Sequence, residues 1–471
     1  MTRRIPGWTL AVSSLAIFMV SLDNLVVTNA LTSIREDLGA SLEGLEWTVN
    51  AYTLAFAVFL LTGAALGDRF GRRRMFLAGL AIFTTASALA ALAPSTGALI
   101  GARALQGLGG AILAPLSLTL LSTAAPAERR GLALGIWSGV SGLGVALGPL
   151  VGGAVIEGIS WQWIFWLNVP VGLALAPLAA RRLEESHGPA GRLDLPGLVL
   201  ASAGLLGVVY GIVRGNPSGW ASTEVVASIA TGAALLAAFV AWELRARSPM
   251  LPLRFFRSRQ FAATNGVSLA MTFGIFGSIF LLAQFFQTVQ GYSPLEAGLR
   301  TLPWTGMPML VAPVAGILSD RLGSRPLMAT GLFLQAFAIM WIAAVSEPDV
   351  AYGALVPAFV MGGGGMALVF APAANAVLGA VRPEEAGQAS GANNAIRELG
   401  GVLGVAVLAA VFTGAGGFET PQAFVDGLVP AMWAGAAVLV IGGLTALLIP
   451  GKRSADAVAR AQPGAPLPAV A

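Results

Sequence analysis

Long apolar stretches alternate with short polar connections along most of the 471-residue sequence. A helix of roughly 20 apolar residues, rising about 1.5 Å per residue, crosses a hydrocarbon layer ~30 Å thick. Fourteen such stretches can be marked, with limits at about 8–31, 48–67, 75–93, 97–121, 131–156, 162–180, 194–213, 224–243, 261–287, 297–319, 326–345, 352–377, 387–413 and 428–449. Backbone polar groups inside a bilayer have no water to bond, and a helix satisfies them within itself. The pattern therefore predicts an all-α integral membrane protein with fourteen transmembrane helices. The first stretch follows Arg3 and Arg4 but, at about 23 residues, exceeds the apolar region of a secretory signal, so it is expected to remain as the first helix.

Charge tests this count, because a missed span would exchange the sides of every later connection. Basic residues occupy the start (Arg3, Arg4) and then alternate connections: Arg69 and Arg72 to Arg74; Arg129 and Arg130; Arg181, Arg182 and Arg192; Arg245 through Arg259; Arg321 and Arg325; Arg382; Lys452, Arg453 and Arg460. The intervening connections carry mainly acids: Glu36, Asp37, Glu43 and Glu46; Glu157; Glu224; Glu347 and Asp349; Glu419 and Asp426, with Arg35 and Arg214 among them. Positive charge stays inside, so both termini are expected in the cytoplasm of a cell whose plasma membrane the chain spans.

Composition agrees and closes off other classes. Hydrophobic residues make up 56% and charged residues 11%, against about a quarter charged in soluble domains. The pI is near 10.1, but the surplus is only +4 and lies in short clusters between spans, which is topology and not a nucleic-acid surface. Cysteine is absent, so disulfides and thiol catalysis are excluded, and the one histidine, His187, falls in a polar loop. No phosphate-binding G-x-x-x-x-G-K-[ST] string occurs, and no connection has room for a nucleotide domain. Clustered His, Cys or paired acids for an enzyme or a metal site are lacking too.

The sequence repeats internally. The connection after the second stretch reads A-A-L-G-D-R-F-G-R-R (Ala64 to Arg73), and that after the tenth reads G-I-L-S-D-R-L-G-S-R (Gly316 to Arg325). Asp68 and Asp320 lie 252 residues and eight stretches apart, on the same side. Two halves related by an axis along the membrane normal explain this, with two extra helices inserted between them. The expected division is 1–190 for a six-helix bundle, 191–250 for the inserted pair, 251–451 for a second six-helix bundle and 452–471 for a cytoplasmic tail. Asp68, Arg69, Gly71, Arg72 and Arg73, with Asp320, Arg321 and Gly323 in the second copy, are candidates for a charged gating clasp between halves. Gly permits a left-handed turn there, and the arginines stay at the interface.

With these strings in place the chain resembles the major facilitator superfamily, in particular its fourteen-span drug:proton antiporter branch, over nearly its whole length. The loop repeat matches the family's first-loop motif, with Ala64 in place of the leading Gly. Arg103, Gln106, Gly107 and Gly109 match its fourth-span motif, and Gly144, Gly148, Pro149, Gly152 and Gly153 match its antiporter motif. Leu22 to Thr32 and Trp161 to Pro170 are similar to the branch as well, with Leu25, Thr28, Thr32 and Gln162 departing from it. The resemblance implies export of drugs or antibiotics driven by a proton gradient, no bound cofactor, and a fifth-span glycine face packed across the interface between halves.

Charges at membrane depth are costly and usually functional. Asp23 lies about 22 Å from the cytoplasmic edge of the first stretch, and Arg103 about 21 Å from the same edge in the fourth. The two share a depth, and either a proton-coupling pair or a static ion pair fits them. Glu398, about 18 Å into its stretch and preceded by Arg397, is a further candidate for proton coupling, the alternative being a local pair with Arg397. Gln106, Asn265, Phe273, Gln284, Asn375, Asn393 and Asn394 are candidates to line a substrate cavity; the amides could equally serve as interhelical hydrogen bonds. Pro303, Pro308 and Pro313 predict an irregular tenth span. The expected function is a proton antiporter, working as a monomer and exporting small amphipathic molecules. A proton symporter or uniporter importing a nutrient is the alternative.

Overall fold

Every predicted stretch forms helix in the computed structural model, which describes residues 7–125, 130–187, 194–382 and 385–451. The first half holds α1 (Gly7–Leu38), α2 (Leu42–Phe70), α3 (Arg72–Ala91), α4 (Thr96–Ala124), α5 (Arg130–Gly158), and the joined pair α6 (Trp163–Trp166) and α7 (Asn168–Arg182). A hairpin of α8 (Leu195–Ser218) and α9 (Thr223–Glu243) follows. The second half holds α10 (Arg259–Gln284), α11 (Pro294–Thr305), α12 (Met307–Leu322), α13 (Ser324–Val345), α14 (Tyr352–Leu378), α15 (Ala386–Ala415) and α16 (Pro421–Ala446). Polar side chains at the connections start the helices: Ser41, Ser95, Ser222, Ser258, Ser293 and Thr420 each accept a bond from an amide of the first turn.

Among the described residues, twelve helical spans are long and apolar enough to cross a membrane. The other two predicted spans are irregular. α2 bends by 49° between Leu60 and Thr62. The stretch expected at 297–319 is divided at Gly306 into α11 and α12, of 12 and 16 residues, each too short to cross alone. Pro303 and Pro308 flank that break and withhold the amide donors that would continue one helix.

The two halves share one packing scheme. α1 packs on α5, α3 on α4, α3 on α7 and α1 on α7; in the second half α10 packs on α15, α13 on α14, α13 on α16 and α10 on α16. Even the turn after the repeated loop recurs. Gly71 and Gly323 have φ of +103° and +84°, and their amides bond back to Gly67 and Ser319. A left-handed residue is needed at both places, which accounts for glycine at both.

Connections of like charge meet in space. Trp161 and Gln162 donate to Asp37, and Ser293 donates to Glu157. At the opposite end, Glu185 accepts from the Arg73 and Arg74 amides, and Glu385 lies 2.8 Å from Arg254. The bundle thus has an acid-rich end and an arginine-rich end.

The apolar clusters differ between these ends. Near the acid-rich end, Val26, Val27, Ala30, Leu31 and Ile34 of α1 join Met271 and Phe280 of α10, Phe412 of α15 and Phe424 of α16 in one buried cluster that runs through both halves. Towards the arginine-rich end each half keeps its own: Val12, Ala16, Phe76, Leu80, Leu120 and Leu183 in the first, Phe255, Phe261, Val377, Ala389 and Ala392 in the second. The halves are sealed at the acid-rich end. α8 lies over the seam between α2 and α15, with Val209 and Val213 against Leu54 and Val58 of α2 and Val402 and Ala406 of α15.

Candidate functional site

Helical rise alone places Asp23 on α1 level with Arg103 on α4, and the two meet. Arg103 Nη1 lies 2.6 Å from Asp23 Oδ2, with the side chains 1% and 0% exposed. The remaining capacity of the carboxylate is filled at Oδ1, which accepts from Gln106 Nε2 at 2.8 Å and Asn168 Nδ2 at 2.7 Å. Gln106 sits one turn beyond Arg103 and also accepts from Arg103 Nη1 at 2.7 Å. Ser87 Oγ on α3 accepts from both amides, at 2.8 and 3.3 Å. Arg103 Nε reaches the Thr48 carbonyl on α2 at 3.2 Å, and its guanidinium lies 4.2 Å from the Tyr52 ring and 5.7 Å from the Phe165 ring.

The result is a closed polar network in an apolar surround, which is how a charge pair survives burial. Asp23, Arg103 and Gln106 were legible from the sequence. Asn168, Ser87, Tyr52 and Thr48 were not singled out. Asn168 stood within the quoted Trp161 to Pro170 string, and its place just after the α6–α7 junction is what turns its amide inward.

The second half approaches through Glu398. Tyr52 stands within electrostatic reach of Asp23, Arg103 and Glu398 together. Glu398 and Arg397 form no salt bridge among the described residues. Arg397 lies 4.3 Å from the Phe370 ring on α14 and donates to Asn394 at 3.2 Å, so the neighbouring side chains diverge as helical geometry requires. Glu398 Oε2 is enclosed without a hydrogen-bond partner.

The other cavity candidates divide. Asn393 donates to Asn265 and to Ser268, both at 3.0 Å, and joins α15 to α10. Asn265 and Gln284 donate to carbonyls of their own helix. Phe273 is buried in the cluster shared by the halves, and Asn375 is exposed at the arginine-rich end of α14. Among the described residues, none of these five is bonded to the Asp23 network.

One expectation needs correction. The glycine face Gly144, Gly148, Gly152 does not cross between halves but packs on α1 in its own half. A Cβ at these positions would come within 2.9 Å of the Phe18 carbonyl, 3.0 Å of Leu25 Cβ and 2.7 Å of Val26 Cγ2. The crossing is made by the adjacent face. A Cβ at Gly153 would lie 2.5 Å from Leu295 Cα on α11, and the Pro149 carbonyl presses on Gly298. Asn29 spans the same junction, donating to the Pro149 carbonyl at 2.8 Å and the Pro294 carbonyl at 3.4 Å, while Gln287 donates to the Asn29 carbonyl at 3.1 Å.

Among the described residues, the bonds of the loop clasp's first copy stay within the first half. Arg72 pairs with Asp68 at 2.8 Å, Arg69 lies on the Phe70 ring at 5.3 Å, and Arg73 meets Glu185 after α7. In the second copy Gly323 makes the turn described above; the Asp320 side chain lies outside the described residues, as does the expected tail at 452–471. At the start of α15, Arg382, bonded at 2.8 Å, and Arg254 hold the Glu385 carboxyl below the ordinary carboxylate range.

The sequence profile of the Major Facilitator Superfamily matches residues 13–405 and 304–471. The chain is 41% identical over 423 residues to a cephamycin export protein of Amycolatopsis lactamdurans, covering 88% of this chain and 86% of that one. It is 36% identical over 430 residues to a tetracenomycin C resistance and export protein of Streptomyces glaucescens, covering 90% and 79%. A crystal structure of a peptide transporter, POT, in complex with sulfate superimposes with a TM-score of 0.69 at 17% identity, over 93% of this chain and 94% of the other, and shares the fold. This chain belongs to the Major Facilitator Superfamily.

Proposed function

We propose that the chain is a proton-coupled antiporter of the plasma membrane that exports small lipophilic or amphipathic compounds, of the kind its cephamycin- and tetracenomycin-exporting relatives are named for. The observation that carries this reading is the Asp23–Arg103 pair, buried at membrane depth between α1 and α4 and bonded to Gln106 and Asn168. A proton arriving on Asp23 Oδ2 competes directly with Arg103 Nη1 for the same oxygen. Released from it, the guanidinium must find other acceptors, and the packing of α1, α2 and α4 around it changes. Glu398 of the second half stands within electrostatic reach of the same Tyr52. Taking the acid-rich end as external, the structure corresponds to a conformation closed to the outside.

The test uses inside-out vesicles or proteoliposomes and tetracenomycin C or a lipophilic cationic dye. An acidified lumen drives accumulation of the compound, and each uptake releases protons to the medium. Asp23→Asn abolishes the pH-driven component, a loss of ~100-fold or more if protonation of this carboxyl gates turnover. Movement of compound together with protons assigns a symporter instead, and transport indifferent to pH in both proteins assigns a uniporter.

A further inference from the structure

α2 holds a second buried carboxyl that the ion pair does not use. Glu46 is 4% exposed, and its Oε2 is enclosed with no hydrogen-bond donor. One turn on, Asn50 is 0% exposed and neither atom of its amide has a partner. A buried amide without partners is costly in the sealed state, and an unpaired ionised carboxylate is costlier still. Glu46 therefore fits this packing as the neutral acid.

Among the described residues, the surroundings supply no counter-charge to Glu46. On α2 itself the nearby charge is Glu43, which Arg214 of α8 holds at 3.1 Å. Arg214 is also bonded to Glu224 of α9, which takes the Tyr210 hydroxyl as well. On α4, Arg103 is committed to Asp23 of α1. Towards the acid-rich end of α1, Arg35 lies on the Phe418 ring, and Glu36 and Asp37 are further acids, not counter-charges. On α15, Arg397 lies on Phe370 beside Glu398, nearer mid-membrane. The cations of α3, Arg72 to Arg74, stand at the opposite end.

Position gives this group a task. Glu46, Asn50 and Leu54 follow one another at i, i+4, i+8 along a ridge of α2, and Leu54 packs with Val402 and Ala406 of α15 and with Val209 and Val213 of α8. The ridge is thus part of the seam between halves, in the stretch that leads to the acid-rich end. We propose that Glu46 is a second proton-binding site, a latch on the outer seam: its carboxylate takes a proton from external water as α2 and α15 close, forming an O–H bond, and returns it when they part. This rests on the reading of the acid-rich end as external and of the halves as alternating. The proton on Glu46 is exchanged with the outside only, so it sets the ease of closure and is not the one carried across.

Because the chain has no cysteine, Glu36→Cys and Gln422→Cys place two spin labels specifically on opposite halves at the acid-rich end. Distances are measured on the full chain in lipid nanodiscs, with and without tetracenomycin C, from about pH 5 to pH 9. The open fraction is expected to rise with pH, by up to ~10-fold per unit for one proton, and to keep this dependence in Asp23→Asn. Glu46→Gln is expected to stay closed across the range. Wild-type pH dependence in Glu46→Gln, or its complete loss in Asp23→Asn, overturns the latch. A seam that never opens, at any pH and with compound present, removes alternation itself and the latch with it. If Glu46→Gln does not fold, Glu46→Asp decides: a dependence displaced along the pH axis supports the proposal, an undisplaced one refutes it.

Discussion

Asp23 carries three bonds, to a guanidinium and two amides, and no water is needed to complete them. Breaking such a network from one side leaves a charge without its partner, at ~3–5 kcal/mol, whereas removing both charges leaves a polar but neutral site. Arg103→Leu is therefore expected to lower the unfolding temperature in detergent more than the double variant Asp23→Asn/Arg103→Leu, although both lose pH-driven transport. Equal stability of the two would show that the pair contributes no structural coupling. The sequence disclosed Asp23 and Arg103 because helical rise converts residue number into depth, and Gln106 because it follows Arg103 by one turn. It could not disclose Asn168 or Ser87, whose inward direction depends on how α7 and α3 are rotated against α1. Glu46 was visible only as one acid in an acid-rich connection; burial without a donor is a property of the packed seam.

Helix by helix, regular spans were read more surely than irregular ones. Apolar length and alternating charge placed the straight helices, while the 49° bend in α2 and the break at Gly306 depend on local packing that hydropathy does not record. α5 shows how a motif can be found yet its direction misjudged. The glycines at i, i+4, i+8 face α1 inside the first half, and the face one residue on, Pro149 and Gly153, meets α11. A methyl group at Gly153 obstructs the seam, at about 1–3 kcal/mol for overpacking. Gly153→Ala is accordingly expected to bias the protein towards external opening. Labelling of Val27→Cys by a membrane-impermeant thiol reagent should quicken by ~5- to 100-fold, and an unchanged rate would show that Gly153 does not govern closure.

At the level of the whole molecule, the inserted hairpin touches both halves at once. Arg214 of α8 grips Glu43 of α2, and Asn216 donates to the Ala410 carbonyl and to Thr413 of α15, the latter at 2.7 Å. Separation of α2 from α15 at this end must break one grip or the other. Asn216→Ala removes the α15 side, and a hydrogen bond of ~0.5–1.5 kcal/mol corresponds to an open fraction about 2- to 10-fold larger in the spin-label measurement. No change would mean that α8 follows one half only. The all-helical membrane plan was legible in hydropathy and loop charge, while twelve spans, or thirteen counting the bent α2, are long and apolar enough to cross among the described residues, against the fourteen expected. The direction in which the halves are tilted was not legible, because a sequence that alternates must suit both tilts.

The seal at the acid-rich end joins the halves through valine, leucine, isoleucine and phenylalanine side chains, a glycine contact and an asparagine bonded to two carbonyls. When that end opens, these surfaces meet water, and apolar hydration carries a large heat capacity. Apolar attraction fades on cooling. In the proposed alternation, the balance between the two tilts is thereby tied to temperature: cold relaxes the seal at the acid-rich end, warmth draws it shut, and the apparent activation energy of the cycle curves with temperature even where the chemistry of the proton does not.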